Sequence, residues 1–109
     1  KNFNETNWTR ILQLYDILTK INSSPVVLLN RAIVIGKLSG AEKAINEIDL
    51  IPDVTKFKKT NYLFSAVLGE LYSQVKKNSE AKKFFEQSLS LTNSEAEKKL
   101  LRKKMSAVS

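Results

Sequence analysis

Cysteine and histidine are both absent from this chain. Their absence excludes zinc fingers, thiol nucleophiles, serine–histidine–aspartate triads and imidazole metal sites together. A chain without cysteine also suits a reducing compartment. Only three glycines and two prolines occur in 109 residues, too few turn formers for an all-β fold with its many reversals. No hydrophobic run is long. The most apolar stretch, residues 25–35, is interrupted by Asn30 and Arg31 and falls short of the roughly 20 residues that span a bilayer. Nothing resembles a signal peptide. The first residue is Lys1 rather than methionine. The expectation is a cytoplasmic piece of a longer protein.

What is present favours helix. Lysine and leucine are the commonest residues, both strong helix formers. A hydrophobic content of 42% and a charged content of 27% are those of an ordinary globular protein, and the length suits one small domain, here residues 1–109, with one core. The net charge of +7 is uneven. Residues 1–50 carry six Lys/Arg against five Asp/Glu, and residues 51–109 carry twelve against six. Lysine doublets at 58–59, 76–77, 82–83, 98–99 and 103–104 make most of the excess. Such a half attracts nucleic acid or an acidic protein face. Because the doublets fall on several helices and almost no arginine joins them, solvated helix faces are the simpler reading.

The hydrophobic spacing predicts an all-α fold of six helices. The first covers about 7–22, with Thr6 as its N-cap and Trp8, Ile11, Leu12, Tyr15 and Leu18 on one buried face. The second covers about 25–39, capped by Ser24 with Pro25 at the first helical position and Gly40 at the turn after it. It is apolar almost all round and therefore central. The third, about 41–48, buries Ala41, Ala44, Ile45 and Ile48. Pro52-Asp53 breaks the chain. The fourth, about 56–76, buries Tyr62, Ser65/Ala66, Leu68/Gly69 and Tyr72. The fifth, about 79–91, places Ala81, Phe84, Phe85, Ser88 and Leu89 on one face. The sixth begins at Asn93 or Ser94, where Ser94 and Glu97 fit a capping box, and carries the single stripe Ala96, Leu100, Leu101 and Met105. One apolar stripe on an otherwise charged helix suits the end of a stack.

Short turns between these helices make antiparallel neighbours, so six helices give three hairpins, at a period near 35 residues. Within residues 65–93, Gly69 and Tyr72 stand where the tetratricopeptide repeat has its close-packing glycine and its tyrosine. Ala81 stands at the small residue where the two helices touch, Phe85 at the following aromatic, and Ser88-Leu89-x-Leu91 replaces the usual Ala-Leu-x-Leu. Trp8-x-x-Ile11-Leu12-x-x-Tyr15 resembles the first helix of the same repeat. The middle unit, through Gly40 and Ala44-Ile45, fits only with a one-residue deletion. The expected architecture is a tetratricopeptide-like right-handed α-α superhelix.

A narrower resemblance joins Glu5-Thr6-Asn7-Trp8, Leu14-Tyr15-Asp16, Ser24-Pro25-Val26-Val27 and Leu29-Asn30-Arg31-Ala32, and extends through Glu80-Ala81, Ser88-Leu89-x-Leu91, Asn93 and residues 95–102. This series is similar to the C-terminal domain of a group of extracytoplasmic-function (ECF) RNA polymerase sigma factors, in which a tetratricopeptide-like domain follows the two sigma helical domains. The resemblance covers residues 5–102. The sigma regions that grip core polymerase and read promoter DNA have no counterpart here. Family members often carry a glycine near positions 76–77, where this chain has Lys76-Lys77. The resemblance implies a regulatory or assembly module that works by protein–protein contact. Its partners would be the parent's own sigma domains, the polymerase core or a regulator, with promoter DNA reached only through the sigma domains. No membrane association and no cofactor is expected, and the oligomeric state stays open. A general tetratricopeptide scaffold and a basic nucleic-acid-binding helical domain are the alternative readings.

Asn30 and Arg31 point about 100° apart on a helix that offers little polar surface, and a shielded polar group needs a partner. One reading is a polar staple, with Arg31 paired to Asp16 and Asn30 tying a backbone group in a turn. The other is a groove in which Tyr15, Asn30 and Arg31 hold a peptide or carboxylate. The staple is the favoured reading, and Trp8 reads as core rather than contact surface. Catalysis is not expected. Asp49-x-x-x-Asp53 and Glu95-x-Glu97 look like a loop and a helix start, and no acid–base pair stands in a glycine-framed or metal-ligand motif.

Overall fold

The computed structural model describes residues 6–108, which form seven α-helices and no strand. These are α1 (Trp8–Ile21), α2 (Pro25–Ser39), α3 (Ala41–Asp49), α4 (Val54–Thr60), α5 (Tyr62–Gln74), α6 (Asn78–Leu91) and α7 (Glu95–Ala107). Contacts divide the chain into an N-terminal unit ending at Ile51 and a C-terminal unit beginning at Pro52. In the first, α1 packs on α2 and α2 on α3. In the second, α4 packs on α5, α5 on α6 and α6 on α7. Glu5, the first residue of the sigma-like series, lies outside the described residues.

In the N-terminal unit α1 is capped by Asn7 rather than Thr6. The Asn7 side-chain oxygen accepts the backbone N–H of Arg10 at 3.0 Å, satisfying one of the orphan donors at a helix start. Asn22 ends α1 in an extended conformation, and its Oδ1 accepts the N–H of Ser24 at 3.0 Å. Ser24 occupies the cap position of α2 but its side chain makes no capping bond. The entry into α2 is held instead by the Asn22 bond and by the fixed φ of Pro25. Gly40 alone separates α2 from α3, at φ +99° with open space around its Cα. The backbone angle, not crowding, demands glycine there. Leu29, Ala32, Val34 and Ile35 of α2 and Ala44, Ile45 and Ile48 of α3 are buried. The face of α1 expected to be buried is not: no residue of α1 is fully buried, and Leu18 is 39% exposed.

In the C-terminal unit, the single helix expected over 56–76 is two. Asn61 takes an extended conformation, ends α4, and caps α5 by accepting N–H groups from Leu63 at 2.8 Å and Phe64 at 3.4 Å. An asparagine satisfies two helix-start donors at once here, which divides the helix although residues 54–62 contain no proline or glycine. α5 then meets α6 in the most extensive helix pairing of this unit. A Cβ added to Gly69 would approach the Phe85 ring to 2.6 Å, so these helices touch at a point that only glycine permits. Phe85 and Ala81 are buried against it, and burial of a phenylalanine contributes about 1.5–3 kcal/mol. One turn further, the hydroxyls of Ser65 and Ser88 meet at 2.6 Å, with Ser88 also donating to the Tyr62 carbonyl at 3.2 Å. Both serines are fully buried and both are satisfied.

The turn after α5 closes where the sequence lacks a glycine. Lys76 sits at φ +66°, its N–H donates to the Ser73 carbonyl at 3.1 Å, and the Lys77 N–H donates to the Tyr72 carbonyl at 2.9 Å. This pair of bonds is a Schellman motif with lysine at the left-handed position. At α7, Ser94 accepts the Glu97 N–H at 3.2 Å, as expected of a cap. The return half of the box is not formed. The Glu97 carboxylate instead accepts the hydroxyl of Thr92, whose oxygen in turn accepts the Ser94 N–H at 3.1 Å. The apolar stripe of α7 is narrower than expected, because Leu101 is buried while Leu100 is 50% exposed and Ala96 is exposed. Leu101 joins Ala81, Phe85 and Val108 in one cluster.

Candidate functional site

The polar residues at the middle of α2 are the starting point. Arg31 donates from Nε to Asp16 Oδ1 on α1 at 2.7 Å and from Nη1 to Glu47 Oε1 on α3 at 3.2 Å. One guanidinium therefore ties all three helices of the N-terminal unit. The hydrogen bond to Asp16 pushes the Arg31 pKa up; burial works the other way, and the charges of Asp16 and Glu47 add to the upward shift. The side chains of Arg31 and Glu47 are 29% and 24% accessible, that of Asp16 49%, so solvent weakens both pairs.

The sequence points to the first of these pairs through hairpin symmetry. Asp16 stands seven residues before Ser23 and Arg31 eight after it, so a turn at Ser23 brings them level. The same symmetry about Gly40, with Arg31 nine residues before and Glu47 seven after, is the signal that would have found Glu47, which the sequence reading omitted.

The remaining expected residues do not converge. Asn30 is half-buried and makes no side-chain hydrogen bond to another described residue. Tyr15 lines a shallow depression of about 170 Å³ with Ile11, Leu14 and Leu18 on α1. Trp8 is half-buried rather than core, with the Lys37 ammonium 5.8 Å from its ring centroid, within range of a weak cation–π attraction. Beside Arg31 lies a cavity of only about 80 Å³, bounded by Leu28, Glu47, Leu50 and Ile51.

The arrangement limits what Arg31 can do. Two carboxylates already occupy two of its donor edges, and the three side chains together carry a net negative charge. Three N–H donors of the guanidinium remain, but a partner's carboxylate would meet that net negative charge. The contacts Arg31 makes are those of a helix-to-helix tie. The surface of α1 offers more. Leu14, Ile17, Leu18 and Ile21 are 53%, 58%, 39% and 81% exposed, a contiguous apolar patch of the kind that marks an interaction surface. Among the described residues no group of three or more His, Cys, Asp or Glu is placed to hold a metal ion, and no helix is long and apolar enough to cross a membrane.

The chain is similar to a protein of Rhizobium meliloti (strain 1021) described as uncharacterized, with 28% identity over 99 residues. The similarity covers 90% of this chain and 22% of that protein, so the chain spans about a fifth of the length of the relative it matches. No family model and no solved structure matches it.

Proposed function

We propose that this chain is a non-catalytic protein–protein interaction and regulatory domain of an ECF-type RNA polymerase sigma factor, and that it modulates transcription initiation. The observation that carries the reading is the series Thr6-Asn7-Trp8, Leu14-Tyr15-Asp16, Ser24-Pro25-Val26-Val27 and Leu29-Asn30-Arg31-Ala32, which resembles the C-terminal domain of that group. The proposed architecture is a tetratricopeptide-like right-handed superhelix. What supports it is the close approach of Gly69 to Phe85, at the two positions where that repeat pattern places its glycine and its aromatic. Solenoids of this kind act through extended surfaces that bind other chains. The apolar face of α1 supports a protein partner: the parent's own sigma domains, the polymerase core or a regulator. Arg31, committed to Asp16 and Glu47, is assigned to holding the helices.

The test is promoter-specific transcription with core polymerase, using the parent protein with and without residues 1–109. A rise on removal identifies an intramolecular brake. A collapse, with the truncated protein still folded, identifies a module required for assembly on polymerase. Unchanged transcription, or a parent protein without sigma domains, overturns the reading in favour of a general scaffold.

A further inference from the structure

A second depression lies wholly within the C-terminal unit, between α4 and α6. It holds about 300 Å³ and is lined by Thr55, Lys58, Lys59, Lys83, Phe84 and Gln87. Its parts are held in place by contacts outside it. Phe84 stacks on Tyr72 with ring centroids 5.5 Å apart and planes 6° from parallel. Phe57 of α4 stacks on Phe64 of α5 at 5.3 Å. Gln87 donates from Nε2 to the backbone carbonyl of Lys59 at 2.9 Å, which joins the end of α4 to α6.

The lining is an aromatic floor with a cationic rim and no carboxylate. Lys59 and Lys83 are exposed and have no ion-pair partner among the described residues, while the carboxylates of Glu70 and Glu95 on the same unit are taken by Lys104 and Lys98. A volume of this size is at the small end of ligand pockets. It accommodates one large side chain rather than a whole cofactor. An apolar group seated on Phe84, with anionic groups on either side reaching the lysines, matches both features.

We infer that this pocket binds a short acidic peptide segment, with one aromatic or large aliphatic side chain on Phe84 and flanking carboxylates on Lys59 and Lys83. Nucleic acid fits less well. A strand needs a continuous cationic track and a series of aromatic side chains on which successive bases stack, and this depression offers a single phenylalanine. The only arginine of this unit, Arg102, lines a different depression, together with Lys82 and the anionic Glu86. The inference does not depend on the sigma-factor reading, because peptide binding reports on the pocket and transcription on the parent protein.

The probe is a fluorescein-labelled heptapeptide with a central phenylalanine and three glutamates on each side, titrated by fluorescence anisotropy. The expected result is saturable binding that weakens about tenfold or more, the equivalent of ~1.4 kcal/mol, when the central phenylalanine is replaced by glycine. The same loss is expected in Phe84→Ala and in the double variant Lys59→Glu/Lys83→Glu. Phe84→Ala removes the stack on Tyr72, so the double variant, confined to exposed side chains, separates loss of the pocket from loss of the fold. It also leaves intact the backbone carbonyl that Gln87 uses. No binding, binding indifferent to either variant, or tighter binding of a labelled oligothymidine than of the peptide overturns the inference.

Discussion

Two residues set the geometry of the C-terminal unit in opposite ways. Gly69 is where α5 and α6 come closest, and the Phe85 ring occupies the space a Cβ would take. Gly69→Ala forces a fully buried ring off its position, and overpacking of this kind costs about 1–3 kcal/mol. A urea titration should show a lower midpoint with an unchanged slope; a midpoint equal to the parent's would mean that the ring moves aside freely. Lys76 is the converse. It holds a left-handed conformation at the end of α5, which costs a residue with a Cβ roughly 1 kcal/mol and glycine almost nothing. Lys76→Gly is expected to raise the midpoint, by less than that figure because glycine also loosens the unfolded chain. The first of these positions was legible in the sequence, because a close helix contact restricts residue type to glycine and pairs it with an aromatic sixteen residues on. The second was not. The absence of glycine left the turn geometry open, and nothing in the identity of a lysine announces a positive φ.

At the scale of helices, the N-terminal unit is organised by Arg31. The side chain crosses from α2 to α1 and α3 at once. Arg31→Met leaves Asp16 and Glu47 without their common counter-charge, whereas Asp16→Asn removes only one of two pairs. Partial exposure keeps each pair in the range of about 0.2–1 kcal/mol. Arg31→Met should therefore cost about 1 kcal/mol and Asp16→Asn about half as much, measured as shifts in thermal midpoint. Equal losses would show that the Glu47 bond contributes nothing. The pairing of α1 with α2 was readable from the positions of Asp16 and Arg31 about a short turn. The division between α4 and α5 was not, since residues 54–62 hold no proline or glycine and only the amide's double acceptance from Leu63 and Phe64 decides it. The same kind of competition explains α7. Glu97 was expected to reach back to the backbone of Ser94, but that N–H goes to the Thr92 oxygen and Glu97 accepts the Thr92 hydroxyl instead.

At the scale of the whole molecule, the all-α class followed from what the chain lacks and from its hydrophobic spacing, and six of the seven helix starts fall within two residues of the expected positions. The expected site fared differently. Of Trp8, Tyr15, Asp16, Asn30 and Arg31, only Asp16 and Arg31 are joined by a side-chain hydrogen bond, because helical spacing tells which face a residue occupies and not which neighbours share its surroundings. The pocket over Phe84 was hidden for the same reason: its walls come from segments separated by more than twenty residues, and the lysines that rim it read in sequence as ordinary solvated charge. One wall of that pocket has a further property. α4 has seven residues, none of them fully buried, and a helix so short does not hold itself in water. It stays folded through Phe57 against Phe64 and the Gln87 amide on its last turn. Its amide protons should thus exchange with solvent through local opening long before the rest of the unit unravels. On that expectation the wall comes apart and re-forms within the folded chain, and a peptide seated on Phe84 should slow the exchange.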